Sequence, residues 1–104
     1  MKVEYRVKVD APAERLWDIL ADVKAWPEWQ VTSHIEPPPG QLAKGTTFPV
    51  ELGGLEWTLT ITEAERPRLL AWVGRRTGLT GVHEWEFLET GGKTTATTRE
   101  NICF

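Results

Sequence analysis

DAPAERLWDILADVKAWPEWQ, residues 10 to 30, is the only stretch of this chain with helical periodicity, and the reading of the rest turns on it. Pro12 suits a first helical turn, where its missing N–H has no partner to lose, and Glu14 complements the positive end of the helix dipole. Leu16, Ile19, Leu20 and Val23 recur at helical spacing, with Glu14, Arg15, Asp18 and Asp22 mostly opposite, so one face has to find a core. Pro27 ends the run, because the residue before a proline is pushed out of helical geometry. The spacing predicts one helix over residues 12–21, then a short second helix or turn carrying Trp26 and Trp29.

Outward from this segment the chain reads as strand. Val3, Tyr5, Val7 and Val9 alternate with Lys2, Glu4, Arg6, Lys8 and Asp10, the pattern of a strand with one wet face. Val31 to Glu36 is a weaker strand candidate, and Pro37, Pro38, Pro39 and Gly40 then predict a loop. From Gly45 on, Thr46, Phe48, Val50 and Leu52 share a face, and Gly53 with Gly54 offers the positive-φ pair of a tight hairpin. On the return, Leu55, Trp57, Leu59 and Ile61 face one way and Glu56, Thr58, Thr60 and Thr62 the other. Arg66, Pro67 and Arg68 turn the chain into Leu69–Arg75, nearly continuously apolar, where Leu70 and Trp72 share a face. Gly78 and Gly81 loosen the connection to Val82–Glu89, in which His83, Trp85 and Phe87 alternate with Glu84 and Glu86. Gly91 and Gly92 lead into a last strand from Lys93 to about Asn101, with neither face strongly apolar. The expectation is an α+β domain over residues 1–104: an antiparallel sheet of about seven strands, with two short helices after the first.

Composition narrows the partners. A chain of 104 residues buries enough surface for one core without staples. A net charge of -3 with scattered Lys and Arg speaks against nucleic acid or an anionic membrane as partner. The single Cys103 has no internal disulfide partner, there is no apolar run of membrane-spanning length, and Met1 leads directly into a strand, so a cytoplasmic location is expected. Six tryptophans in so short a chain call for broad apolar walls.

The succession of a strand, APAERLWDILADVKAWPEWQ, KGTTF, GGLEWTLTITEAERPRLLAWVGR and GVHEWEFLETGGKTTATTRE resembles the polyketide cyclase/dehydrase and lipid-transport family of the START-like (Bet v 1-like, SRPBCC) superfamily over nearly the whole chain. The resemblance implies a helix-grip fold, in which a curved antiparallel sheet wraps a long C-terminal helix and an apolar ligand lies between them. The sequence stops at Phe104, where the family has that helix, so a C-terminally short member with an uncovered concave face is expected. Phe48, Trp57, Leu59, Trp85 and Phe87 would form the open patch, and a patch of that size marks an interface, here a homodimer in which a second subunit supplies the cover.

The candidate for chemistry lies in the last hairpin. With a two-residue turn at Gly91 and Gly92, counting outward sets Phe87 opposite Ala96, Trp85 opposite Thr98 and His83 opposite Glu100; a four-residue loop sets His83 opposite Thr98 instead. A histidine and a carboxylate side by side can act as general acid and base, can orient a ligand's polar group, or can simply satisfy each other in a half-buried sheet. Trp57, Trp72 and Trp85 are candidates for pocket lining or for ordinary core. Arg75 and Arg76 are either solvated or placed to meet an acidic ligand group. No cofactor is implied, and His34 and His83 lack the spacing of a metal site. The resulting expectation is a binder of a hydrophobic small molecule (a lipid, polyketide or aromatic metabolite) held by Phe48, Trp57, Leu59, Trp72, His83, Trp85, Phe87, Thr98 and Glu100. The alternatives are a cyclase or dehydratase using His83 and Glu100, and an assembly module without ligand.

Overall fold

The computed structural model describes residues 2–26, 32–35, 41–52 and 54–103, the segment 32–35 by its main chain only. The expectations for Pro27, Trp29, Val31, Glu36 to Gly40, Gly53 and the side chain of His34 lie outside the described residues. Seven strands form one antiparallel sheet: β1 (Lys2–Val9), β2 (Thr32–Ile35), β3 (Thr47–Leu52), β4 (Leu55–Glu65), β5 (Leu69–Arg76), β6 (Leu79–Thr90) and β7 (Lys93–Cys103). Helix α1 (Ala13–Ala21) and a single 3₁₀ turn (Val23–Ala25) follow β1, and among the described residues no helix follows β7. None of these helices is long and apolar enough to cross a membrane.

The strand order is β1-β7-β6-β5-β4-β3-β2, so β5 is central. Its five residues Leu70 to Gly74 are all buried, which is why this strand alone loses the alternation of its neighbours. Gly91 and Gly92, at φ 61° and 79°, form the two-residue turn whose twist matches the strands it joins, and Thr90 pairs with Lys93. One expectation about a turn is corrected. Gly81 is a strand residue of β6 paired with Gly74, because the tight turn between β5 and β6 needs only two residues, with Arg76 paired to Leu79.

Helix α1 covers one end of the concave face of the curved sheet. Its buried residues are Ala13, Trp17 and Leu20, and Leu16 packs against the core, whereas Ile19 is 52% exposed, so the predicted stripe faces the core at Leu16, Leu20 and Val23 with Trp17 in place of Ile19. These residues join Val23, Trp26, Phe48, Val50, Leu59, Ile61, Leu70, Trp72, Phe87 and Ala96 in one core. Trp26 is only 1% exposed and packs on Phe48 and Trp72 with ring centroids 6.2 and 5.3 Å apart. The open patch is therefore smaller than expected. Phe48, Leu59 and Phe87 lie in the core under the helical segment, and only Trp57 and Trp85 of the predicted five remain half-buried.

The helix is fixed by polar contacts from distant strands. Pro12 at the N-cap has no side chain able to accept, and Glu89 of β6 takes that role: its Oε1 accepts the Ala13 N–H at 2.7 Å. Thr94 of β7, buried, donates its hydroxyl to the Ala11 carbonyl at 2.7 Å. At the other end the Trp26 indole N–H donates to the Leu20 carbonyl at 2.8 Å, and Arg66 pairs with Asp18 at 3.1 Å. Replacing Glu89 by Ala removes the cap and is expected to cost about 1 kcal/mol. That corresponds to roughly 4–8 °C in thermal unfolding followed by circular dichroism, with Glu89→Gln, whose amide oxygen still accepts the Ala13 N–H, losing much less.

Candidate functional site

Beyond the reach of α1 the concave face carries a hollow of about 110 Å³ lined by Leu52, Trp57, Leu59, Trp72, Gly74, Gly81, Val82, His83, Glu100 and Ile102. The paired glycines create it. Gly74 and Gly81 face each other across β5 and β6, so two adjacent positions on this face have no side chain. A Cβ on Gly74 would come within 2.9 Å of Leu59 Cδ2, whereas one on Gly81 would meet only Ile102 Cγ1 at 3.9 Å. The hollow thus narrows toward β4 and has room toward β7.

Its polar corner is the pair anticipated from the hairpin register: His83 lies opposite Glu100, and Trp85 opposite Thr98. His83 Nε2 and Thr98 Oγ1 are 2.8 Å apart, and His83 Nδ1 lies 3.5 Å from Glu100 Oε2. The imidazole is sandwiched along the sheet between Trp72 and Trp85, with centroids at 4.9 and 5.9 Å. Burial pushes its pKa below the ordinary 6.5 by disfavouring the charged ring, and the nearby Glu100 carboxylate opposes this only in part.

Of the residues singled out from the sequence, Trp57, Leu59, Trp72, His83 and Glu100 meet at this hollow, and Thr98 bonds to His83 behind it. Trp85 and Phe87 instead line a second, wholly apolar hollow of about 200 Å³ with Val7, Val9, Leu16, Ile19, Leu20 and Ala96. Phe48 lines neither and packs beneath Trp26. Arg76 lies over the Trp57 ring at 5.9 Å, and Arg75 is exposed. The residues that sequence reasoning missed are Gly74 and Gly81; their equal distance from the turn at Thr77 and Gly78 was the available signal. On the opposite, convex face Arg99 bridges Glu4 at 3.0 Å and Glu84 at 2.8 Å, so this guanidinium points away from Glu100.

A curved antiparallel sheet holding a short helix after its first strand, with an aromatic hollow on the same face, is a START-like fold. Within it, the chain belongs to the polyketide cyclase/dehydrase and lipid transport family, whose model matches residues 1–102. Among solved structures it is similar to a hypothetical protein from Helicobacter pylori, with a TM-score of 0.82 and 19% identity over 98% of this chain and 69% of that one. A protein from Mesorhizobium loti gives 0.80 and 18%, covering 97% of this chain and 76% of that one. A START superfamily protein from Mycobacterium smegmatis gives 0.80 and 13%, covering 98% and 76%. At these identities the likeness is one of fold. No curated protein matches the chain.

The lowered pKa of His83 has a consequence for stability. The unfolded chain takes up this proton at higher pH than the folded one, so the neutral ring's contribution is fully present above about 6.5 and is lost as pH falls toward the folded value. Melting temperature is expected to drop between pH 7 and 5, and His83→Gln to flatten that part of the profile. An unchanged slope in the variant would count against this assignment.

Proposed function

We propose that this chain binds a small hydrophobic molecule, with one ring-sized group in the hollow between Trp57, Trp72 and Ile102 and its polar end at His83, Thr98 and Glu100. The observation that carries the reading is the Gly74–Gly81 pair, which leaves an aromatic-walled gap with one polar corner. A gap of about 110 Å³ compares with the roughly 150 Å³ cavity that admits benzene in a protein core, so a larger ligand would extend over the rim toward Trp85. The family's name in lipid transport and polyketide chemistry supports a ligand of this apolar class. The reading includes a cytoplasmic location, with which the free, exposed Cys103 is compatible.

Filling the gap tests it. Gly81→Val places its branches in the free space beside Ile102, so affinity for the neutral dye N-phenylnaphthylamine, read by fluorescence, is expected to fall at least about tenfold with the fold intact by circular dichroism. Unchanged affinity would place the dye elsewhere.

Two further readings have an observation each. The 3.5 Å approach of His83 Nδ1 to Glu100 favours proton transfer of the cyclase or dehydratase type, for which His83→Gln would abolish turnover of a bound polyketone while leaving binding in place. Self-association is favoured by the free edge of the sheet, where Tyr5 is 70% and Val7 55% exposed beside Ile19 and the apolar hollow under Trp85. A second copy docking there would bury these side chains. Sedimentation should then show a dimer that Val7→Lys dissociates, whereas a monomeric parent chain would dismiss the idea.

A further inference from the structure

The polar corner of the hollow has a definite hydrogen-bonding sense, which follows from counting its protons. A carboxylate only accepts, so the imidazole nitrogen nearest Glu100, Nδ1, is the one that carries hydrogen. A ring left neutral by its burial has a single N–H, so Nε2 is bare and accepts the Thr98 hydroxyl at 2.8 Å. The one hydroxyl proton of Thr98 is thereby used on His83, the one N–H of His83 faces Glu100, and Glu100 has none. What the three side chains have left to offer an incoming molecule is lone pairs.

Resting on the binding reading above, we infer that the hollow selects apolar molecules whose buried end is a hydrogen-bond donor, a hydroxyl or amino group, and rejects those ending in a carboxylate or phosphate. A donor reaching Glu100 gains a charge-assisted hydrogen bond, whereas an anion there meets the like charge of a carboxylate with which no Lys or Arg is paired among the described residues. Among the described residues the ion pair that Glu100 makes is with His83. Arg99, its neighbour in sequence, is committed to Glu4 and Glu84 on the other face of the sheet. Arg76 sits over the ring of Trp57 and makes no ion pair with Glu100. A carboxylate ligand would therefore have to enter the other way round, toward the rim.

Three molecules that share a body and differ in one group separate these possibilities: naphthol, naphthalene and naphthoate, titrated into the intact chain by NMR. The indole N–H signals of Trp57 and Trp72 report occupancy of this hollow in particular. Naphthol is expected to bind about tenfold tighter than naphthalene, and naphthoate more weakly than either. In Glu100→Gln, whose amide supplies donors, naphthol should lose most of that advantage and naphthoate should gain. Naphthol binding no tighter than naphthalene, or naphthoate binding as tightly as naphthol, would overturn the donor selectivity while leaving a hydrophobic site in place. If none of the three moves the Trp57 and Trp72 signals, the binding reading and the selectivity built on it both fall.

Discussion

A helix of nine residues is about 13 Å long, while seven strands laid side by side span roughly 29 Å. That mismatch governs the molecule. Helix α1 and the 3₁₀ turn after it seal the concave face over Phe48, Leu59, Ile61 and Phe87, and Trp26 extends the seal as far as Trp72. Past Trp72 the sheet has to manage its own apolar face. It does so with large flat side chains that are each half-buried against a neighbour: Arg76 on Trp57, His83 between Trp72 and Trp85, and Trp85 against Phe87. The hollow sits where that shingling is interrupted by two glycines.

Among the described residues no second layer of structure covers the convex face. Ala71, Val73 and Thr97 are buried there, flanked by Glu84, Glu86, Arg99 and Arg68, whose charged ends pair with one another. Such exposed ion pairs contribute little stability individually. Their main effect is to keep apolar surface covered and to hold Arg99 away from Glu100, which leaves the carboxylate on the concave side without a guanidinium.

Local pattern made much of this legible. Period-two alternation located β1, β3, β4 and β6, a continuous apolar run located β5, and two consecutive glycines at 91 and 92 fixed a register from which His83 opposite Glu100 could be counted. The failures share a cause, which is that they depend on what a residue meets far away in sequence. Leu16, Leu20 and Val23 of the predicted stripe face the core, but the place expected for Ile19 is taken by Trp17, a choice that only the sheet beneath the helix decides. Gly81 reads as a loop residue until Gly74 is seen across from it. The cap on α1 comes from Glu89, which no N-terminal motif could have announced. Phe48, Leu59 and Phe87 looked exposed only while the reach of Trp26 was unknown.

The pairing of β1 with β7 joins Lys2 to Asn101, and the start of α1 is held by Glu89 and Thr94. A ribosome delivers these partners in the least convenient order. Until the β6–β7 hairpin has emerged, the first strand has no neighbour and the helix behind it has neither its cap nor its tether, so an isolated helix of this length would be marginal. The middle hairpins can form as they appear, but β1 and α1 have to wait, the strand without a hydrogen-bonded neighbour and the helix without its cap until β7 has been made. Placing β1 beside β7 makes synthesis of the β6–β7 hairpin a condition for pairing the first strand and for capping the helix that follows it.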